Sequence, residues 1–302
     1  MAQRVHRITR STMSAMLRAA RRCSAAIVPQ RTVRALSTKP PLLLCAADTI
    51  DPTVQVLTLN QPDSLNAMSV GMGEAVEAAV ASLQEKPPEE LRSVLITGAG
   101  RAFSAGGDLA FLEARRLDNP TNNYLAMKAF YKRFLCIQQL PVPVVCCING
   151  PAIGAGLSFA MAADLRVTHD EAKLGLTFVG LGLHPGMGST HLIAAAANAQ
   201  AANRLLLTGD IVSGAEAQSL GLVAQSLPDR DAALDAALAL ARRIAKQSPL
   251  AVRATVRTLR NRAHATLDAA LENEAYAQAA SYASADYAEG LAAVVAKRKP
   301  QF

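Results

Sequence analysis

The sequence lacks several features that would assign it to common classes of protein. No apolar run reaches the roughly 18 residues of a membrane-spanning helix, so we expect no membrane partner. The segment Gly98-Ala-Gly100 lacks the third glycine of a dinucleotide-binding fingerprint, and no Gly-Lys-Ser or Gly-Lys-Thr exists for a phosphate-binding P-loop. The sequence therefore supports neither class of nucleotide cofactor, and we expect no resident cofactor.

Cysteine is also scarce. The five cysteines show neither the spacing of a metal site nor a pattern that predicts disulfide pairs, so we expect no bound metal. We interpret them as buried or incidental thiols in a reducing compartment. They are Cys23, Cys45, Cys136, Cys146 and Cys147.

Acidic residues are missing from the first part of the chain. Residues 1–47 contain eight arginines and Lys39 but no Asp or Glu, which leaves 22 basic and 24 acidic residues in the remainder. The formal charge of +7 therefore belongs to this leader, and the remainder gives no reason to expect a nucleic-acid partner. Because an Arg-rich, acid-free leader is typical of a mitochondrial transit peptide, we predict that residues 1–40 direct the chain to the matrix. A basic tail or RNA-binding arm is the alternative.

Glycine is concentrated in two turns that each follow an apolar β-type run. In the stretch 143–164, the run PVVCCI leads into NGPAIGAG and then into a helix-compatible segment. In the stretch 94–109, VLIT leads into a glycine turn that continues through FSAGGDL. Glycine lets a ligand approach the backbone, and a helix start presents N–H groups without an intrahelical partner. The turns could therefore bind an oxyanion or phosphate, although packing alone is the alternative.

Together with several later motifs, the two turns resemble the crotonase family, also called the enoyl-CoA hydratase/isomerase superfamily. The matching motifs occur in family order over about residues 50–302. They are Thr97-Gly98, the FSAGGDL segment, Asn149-Gly150, Gly154-Ala155-Gly156, Ala163-Asp164, Pro185-Gly186 with Gly188, Thr208-Gly209-Asp210, Gly221-Leu222-Val223 and Lys297-Arg298-Lys299-Pro300.

The resemblance implies an α/β fold, a crotonase-like spiral of β-β-α repeats followed by helices that trimerise and often stack as hexamers. We expect the spiral core at 41–228 and the helical oligomerisation domain at 229–302, assembled as a homotrimer or a dimer of trimers. The residue pattern itself alternates strands and helices. It predicts strands at 54–59, 94–97, 165–168 and 173–176, and later helices at 231–247, 249–264, 266–283 and from Asp286.

The resemblance also implies a chemistry for the turns. In this family two backbone N–H groups form an oxyanion hole that stabilises an enolate on a thioester carbonyl, and Gly107 and Ala155 match their positions. An acyl-CoA would then be the substrate. Ser64, Leu65 and Ala67 would line its adenine end, although a plain helix start is the alternative there. The other residues implied at the substrate are Gly106, Asp108, Leu109, Phe178, Pro185 and Gly186.

The acid/base side chains of the family are absent. Family hydratases hold and activate water with two glutamates, whose positions are occupied here by Ser158 and Phe178. Neither side chain is a general base near neutral pH, so standard hydration is not expected. Some isomerases of the family use an aspartate near the Pro-Gly turn. The matching positions here are Pro185, Gly186 and Met187, so this aspartate is absent as well.

Two side chains remain as candidates for the chemistry. His184 could shuttle a proton, or it caps a turn and packs beside Pro185. Ser158 is a polar contact or a nucleophile; its surroundings resemble a serine-hydrolase elbow, but several residues separate it from the preceding strand. We expect an enoyl-CoA hydratase/isomerase-like enzyme of fatty-acid or branched-chain acyl-CoA metabolism. The alternative is a catalytically silent member that binds acyl-CoA or a protein partner.

Overall fold

The computed structural model describes residues 40–261 and, beyond them, five single residues between 285 and 301. The predicted transit peptide lies outside the described residues, apart from Pro40. So do the helices predicted at 266–283 and from Asp286, except for single positions. The structure therefore informs on the predicted spiral core and on the first two of the later helices.

Within the described residues, nine strands form two sheets. The larger sheet has the order β1-β2-β3-β4-β6-β9, in which β1 is antiparallel to β2 and every other pair is parallel. The four predicted strands are confirmed as β2, β3, β6 and β7. The strands are β1 Leu43–Ala47, β2 Val54–Leu59, β3 Ser93–Gly98, β4 Val144–Ile148, β5 Ala152–Ile153, β6 Leu165–His169, β7 Lys173–Gly175, β8 Ile211–Ser213 and β9 Gln225–Leu227.

The smaller sheet has the order β5-β7-β8 and is continued by two single parallel bridges. Ser104 pairs with Ala152 of β5, and Gly107 pairs with Met68. Each repeat therefore places one strand in the larger sheet and the next segment in the smaller one before a helix, which is the expected β-β-α arrangement. Both glycine turns lie at the passage from one sheet to the other.

Nine α-helices connect and cover the strands of the described region. A capping box starts α7, where the Glu216 N–H donates to Ser213 Oγ over 3.1 Å. The helices are α1 Val70–Gln84, α2 Leu109–Leu117, α3 Pro120–Leu135, α4 Ala155–Met161, α5 Ser189–Ala196, α6 Ala199–Thr208, α7 Gly214–Ser219, α8 Arg230–Ala245 and α9 Pro249–Asn261.

The two faces of the larger sheet are packed differently. One face is covered by large side chains of α1, α3 and α4, including the fully buried Phe134 and Phe159, and by the fully buried Phe103 of the loop after β3. The other face is covered by α8, whose alanines recur every four residues and so lie on one side of the helix. These are Ala233, Ala237, Ala241 and Ala245, packed on Val54, Leu95, Val145, Cys147 and Val167. The small alanine side chains let α8 approach the strands closely. The glycine turns lie on the other face of the sheet, with the large side chains.

Helices α8 and α9 confirm the first two predicted later helices. Helix α9 is held to the core by Arg260, which donates to both oxygens of Asp164 and to the carbonyls of Leu140 and Val142. Both helices thus contact the spiral. The boundary at residue 229 and the oligomerisation role of the helical segment stay predictions.

Three of the described cysteines are buried and one, Cys45, is exposed, and all four are free thiols. Burial raises the pKa of Cys136 to about 11 and that of Cys147 to about 12, so these thiols stay protonated at neutral pH. Within the described residues, no group of His, Cys, Asp and Glu side chains could hold a metal ion. No helix in this part of the chain combines the length and apolarity needed to cross a bilayer.

Candidate active site

The site begins with a left-handed turn that precedes α1. Leu65 and Asn66 have φ values of 52° and 54°, which side-chain-bearing residues adopt only when the surroundings hold them. The segment then pairs with the chain before α2: Met68 N–H donates to Gly106 O over 2.8 Å, and Ala105 N–H donates to Leu65 O over 2.9 Å. The segment predicted to bind the adenine end therefore lies against the first glycine turn, residues 98–108.

Two buried asparagines hold the turns. Asn66 Nδ2 donates to the carbonyls of Ala99 and Ala102, both over 2.9 Å, and its Oδ1 accepts from Gln61 N–H over 2.8 Å. Asn149 Nδ2 donates to Gly98 O over 2.7 Å, and its Oδ1 accepts from Gly98 N–H over 3.1 Å. Each amide thus uses both its donor and its acceptor, which fixes its orientation. The sequence contained both residues within motifs but did not indicate this role.

The first glycine turn is in direct contact with the second, residues 149–156. Gly106 has a φ of +96°, and a Cβ there would lie 2.7 Å from Ile153 O and 3.7 Å from Ala155 N. A Cβ on Gly156 would lie 2.6 Å from Ser104 O. Side chains at either position would force the turns apart, so glycine is required for this contact.

The two predicted oxyanion donors are unpartnered. Ala155 is the first residue of α4, follows Gly154 as N-cap, and its N–H has no acceptor among the described residues. The N–H of Gly107 likewise has no partner in this part of the chain, because its bridge with Met68 uses the neighbouring amide of Asp108. Ala155 is 9% exposed and Gly107 half-buried. Two free N–H groups on touching turns are the requirement for an oxyanion hole.

Apolar side chains flank both donors. A Cβ placed on Gly107 would lie 3.4 Å from the Leu112 side chain of α2. A Cβ placed on Gly154 would lie 3.9 Å from Phe178 Cζ. Behind them, Phe111 stacks on Phe130 with ring centroids 4.6 Å apart. The position of the family's loop glutamate is therefore filled by an aromatic ring beside the second turn.

Ser158 is fully buried in α4 and donates its hydroxyl to Gly154 O over 3.1 Å. This bond to the carbonyl one helical turn earlier is the usual one for a serine inside a helix. The hydroxyl has no histidine or carboxylate partner among the described residues, which favours the interpretation as a structural contact over that as a nucleophile.

His184 is exposed, and its Nδ1 lies 2.8 Å from Pro185 O. Together with Pro185 it lines a cavity of about 620 Å³ between the 179–185 loop and helices α5 and α6. No residue of either glycine turn lines this cavity. The contact with Pro185 O fits the interpretation of His184 as a turn residue beside Pro185, and a proton-shuttle role for it stays a prediction.

The predicted substrate residues on either side of the first glycine turn differ in exposure. Ser64 is exposed, while Leu65 and Ala67 are partly exposed beside the first glycine turn. Asp108 caps α2 by accepting from Phe111 N–H over 2.9 Å, and Leu109 is 82% exposed. Leu109 thus presents apolar surface two residues after Gly107, the predicted oxyanion donor.

One residue near the site was not singled out from the sequence. Tyr131 of α3 places its hydroxyl where a side chain on Gly186 would begin, so a Cβ there would overlap the phenol oxygen. The sequence did not indicate this contact, because Tyr131 and Gly186 lie far apart in the chain.

Comparisons with known proteins agree with this geometry. A family model described as enoyl-CoA hydratase/isomerase matches residues 49–302. The 1,2-epoxyphenylacetyl-CoA isomerase of Escherichia coli is 34% identical over 254 residues, which cover 84% of this chain and 96% of that protein. The crotonyl-CoA hydratase of Syntrophomonas wolfei is 32% identical over 254 residues, covering 82% of this chain and 93% of the relative.

Solved structures show the same fold. The crystal structure of enoyl-CoA hydratase from Bacillus anthracis superposes with a TM-score of 0.79 at 30% sequence identity, covering 86% of this chain and 98% of that one. The sequence motifs, the two-sheet spiral and the two N–H groups without a partner among the described residues all fit this relationship. The chain therefore belongs to the enoyl-CoA hydratase/isomerase family.

Proposed function

We propose that this protein is an acyl-CoA enzyme of the hydratase/isomerase type that stabilises a thioester enolate with the backbone N–H groups of Gly107 and Ala155. The observation that carries the proposal is that both donors are unpartnered within the described region and lie on turns in direct contact. Negative charge develops on the thioester oxygen as an enolate forms. One preorganised donor of this kind typically contributes about 10²–10³-fold to a rate.

The proposed chemistry is enolate formation and double-bond chemistry rather than standard hydration. Ser158 donates its only proton to Gly154 O, and the ring of Phe178 lies beside the second turn. Neither can hold a nucleophilic water and take its proton. The relatives include both a hydratase and an isomerase by name, so the family relationship allows either outcome.

A silent acyl-CoA-binding protein is the second candidate. It is favoured by positions 158 and 178, which carry a serine bonded to Gly154 O and a phenyl ring instead of side chains that could act as a general base. Without a base at the site, the turns and the residues beside them would bind a thioester but not turn it over.

A panel of acyl- and enoyl-CoA thioesters separates the two candidates. Turnover and binding are followed on the same mature protein, with calorimetry on a non-hydrolysable acyl-CoA for the binding arm. Turnover of at least one thioester supports the enzyme, and binding without turnover supports the silent candidate. No detectable binding at any chain length contradicts both.

We further propose that Ser64, Leu65 and Ala67 contact the adenine end of coenzyme A and that no cofactor besides the substrate is needed. The exposure of these residues and their place beside the first glycine turn support the first point. Replacing Ser64 by a bulky residue should weaken binding of the whole acyl-CoA but not of an acyl-pantetheine, which lacks the adenosine.

Mitochondrial import and homo-oligomerisation complete the proposal. The acid-free leader with eight arginines supports the first, and the helical segment from residue 229 supports the second. The leader should direct a fused reporter to mitochondria, and replacing Arg18, Arg21 and Arg22 by alanine should impair this. Cytosolic retention of the intact fusion argues against import.

Light scattering on the mature chain should give the mass of a trimer or hexamer, and a monomer would contradict that assembly.

A further inference from the structure

A basic cavity, which we call the α9 cavity, lies between helix α9 and the segment that precedes β4. It has a volume of about 450 Å³ and is lined by residues 138–141 on one side and by α9 on the other. Three arginines line it, and none of the described Asp or Glu residues does. They are Arg253, Arg257 and Arg260, whose spacing places them on one face of the helix. Neither glycine turn contributes to the lining, so the cavity is separate from the candidate active site.

Arg260 forms a fixed part of the wall. It donates to both carboxylate oxygens of Asp164 and to three backbone carbonyls within residues 138–142. These bonds offset its positive charge and connect α9 to the start of β4. An additional anion in the cavity would therefore bind the other two arginines.

Arg253 has a buried donor without a partner. Its Nη2 donates to Leu91 O over 3.1 Å, whereas its Nε is buried and has no acceptor among the described residues. Glu89 attracts the guanidinium, but it forms no ion pair with Arg253 in this part of the chain and does not line the cavity. Burial lowers the pKa of Arg253, because removing a positive charge from water is costly. Since buried donors of folded proteins usually have a partner, this Nε indicates an acceptor that a ligand supplies.

Arg257 adds a second guanidinium with unused donors. It is exposed and forms no hydrogen bond or ion pair within the described region. It lies one helical turn from Arg253, and like charges at this spacing repel each other until an anion binds between them. A phosphate monoester carries a charge of about −1.5 to −2 at pH 7, which matches two uncompensated arginines. The planar donor fork of arginine also fits the oxygens of a phosphate group.

We propose that the α9 cavity is a binding site for a phosphate group, which Arg253 and Arg257 hold through charge-assisted hydrogen bonds. Leu250 and Pro141 line the same cavity and offer apolar surface to the organic part of a phosphate ester. The inference goes beyond the proposed function, because this site lies apart from the two oxyanion donors and binds a ligand other than the reacting thioester.

Calorimetry on the mature protein tests the inference with two probes, inorganic phosphate and glycerol 3-phosphate, at constant ionic strength. Both should bind saturably at one site per chain. Tighter binding of glycerol 3-phosphate assigns the site to an organic phosphate, and equal or weaker binding assigns it to free phosphate; either result supports the inference. Arg257→Gln should weaken both probes roughly tenfold, because a hydrogen bond to a charged group is lost. Arg257→Lys keeps the charge without the planar fork and should weaken them less.

Arg243→Gln is the matched control, because Arg243 is an exposed arginine of α8 that does not line the α9 cavity. It should leave both affinities unchanged, and Arg257→Gln should keep the unfolding temperature of the unmodified protein. Absence of saturable binding to the unmodified protein overturns the inference, as does an unchanged affinity in Arg257→Gln or an equal loss in Arg243→Gln. Displacement of phosphate by one equivalent of a non-hydrolysable acyl-CoA overturns it as well, since the anion would then occupy the thioester site.

Discussion

The backbone and the side chains of the candidate site differ in how well they fit the chemistry of the family. The glycine turns supply backbone N–H groups, and buried bonds of Asn66 and Asn149 hold them in place. Positions 158 and 178 should supply side chains, yet one carries a serine bonded to its own helix and the other a phenyl ring. Backbone donors depend only on conformation and close approach, whereas acid/base groups depend on residue identity. A chain can therefore keep enolate stabilisation and lose the means to activate water.

The largest expected effect is on hydration. Crotonyl-CoA should be hydrated at least about 10²–10⁴-fold more slowly than by a relative that has both glutamates, because general acid–base assistance is typically of that size. The measurement is the initial loss of enoyl absorbance under identical conditions. A full hydratase rate would break the comparison, since another residue would then supply the base.

Restoring the carboxylates sharpens the same comparison. Ser158→Glu with Phe178→Glu should raise the hydration rate if Gly107 and Ala155 are correctly placed. The fully buried Ser158 site must then accept a larger, charged group, so stability should fall by several kcal/mol. If the rate does not rise, denaturant unfolding of the double variant shows whether the cause is misplaced carboxylates or loss of the folded state.

The next effect concerns the backbone part of the pocket. Ala155→Pro removes one donor at the first position of α4, where proline is compatible with a helix. Turnover of the most reactive thioester should fall by about 10²–10³-fold. If the protein only binds acyl-CoA, affinity should weaken severalfold instead.

Ala155→Gly is the matched control, because it changes the side chain and keeps the N–H. Steady-state kinetics and thermal unfolding of both variants form one experiment. Equal activity of the two variants would mean that the Ala155 amide does not face the thioester oxygen.

Substitution of Asn66 should act on stability. Asn66→Ala removes three buried hydrogen bonds and leaves alanine at a φ of 54°, so unfolding free energy should fall by about 2–4 kcal/mol. Asn66→Gly accepts this φ without strain and should cost less. Urea unfolding of both variants distinguishes the lost bonds from the strained conformation, and equal losses would assign the whole effect to the bonds.

How far the sequence predicts the fold and site depends on the distance over which residues interact. The glycine turns and the capping box at Ser213 were predictable, because each is a local pattern in which spacing and backbone conformation decide the structure. The motifs also showed that positions 158 and 178 carry serine and phenylalanine instead of the family's two glutamates. The consequence, a serine bonded to Gly154 and a ring beside the second turn, required the structure.

Contacts between distant segments were the part that sequence could not show. Asn66 bonds carbonyls 33 and 36 residues away, and Tyr131 meets the loop before α5. The edge strand β1, LLCAA, shows no alternation of apolar and polar residues, and the two-residue β5 is too short to show one. His184 precedes the Pro-Gly turn in sequence, but its exposed side chain lines a separate cavity.

The smallest expected effect concerns an ion pair with α8 and tests whether stability and chemistry can be separated. Asp48, 8% exposed, forms two bonds of 2.7 and 2.8 Å with Arg242 of α8. Chiefly through this pairing, the pKa of Asp48 is lowered from 3.8 to about 2. The folded state thus binds fewer protons than the unfolded state between about pH 4 and pH 2, so the stabilisation is complete above this window and is lost as pH falls through it.

Asp48→Asn should therefore lower the unfolding free energy by about 1–2 kcal/mol at pH 7, and the difference from the unmodified protein should shrink toward zero near pH 2. The asparagine retains an oxygen for the N–H groups of Ile50 and Asp51, so the change acts on the charge pair. Asp210→Asn is the control, because its pair with Arg204 is exposed and should contribute little. Acyl-CoA binding at pH 7 should be unchanged in both variants. A loss of binding in Asp48→Asn would mean that the α8 face of the sheet influences the glycine turns, and the backbone site would then depend on more than its own turns.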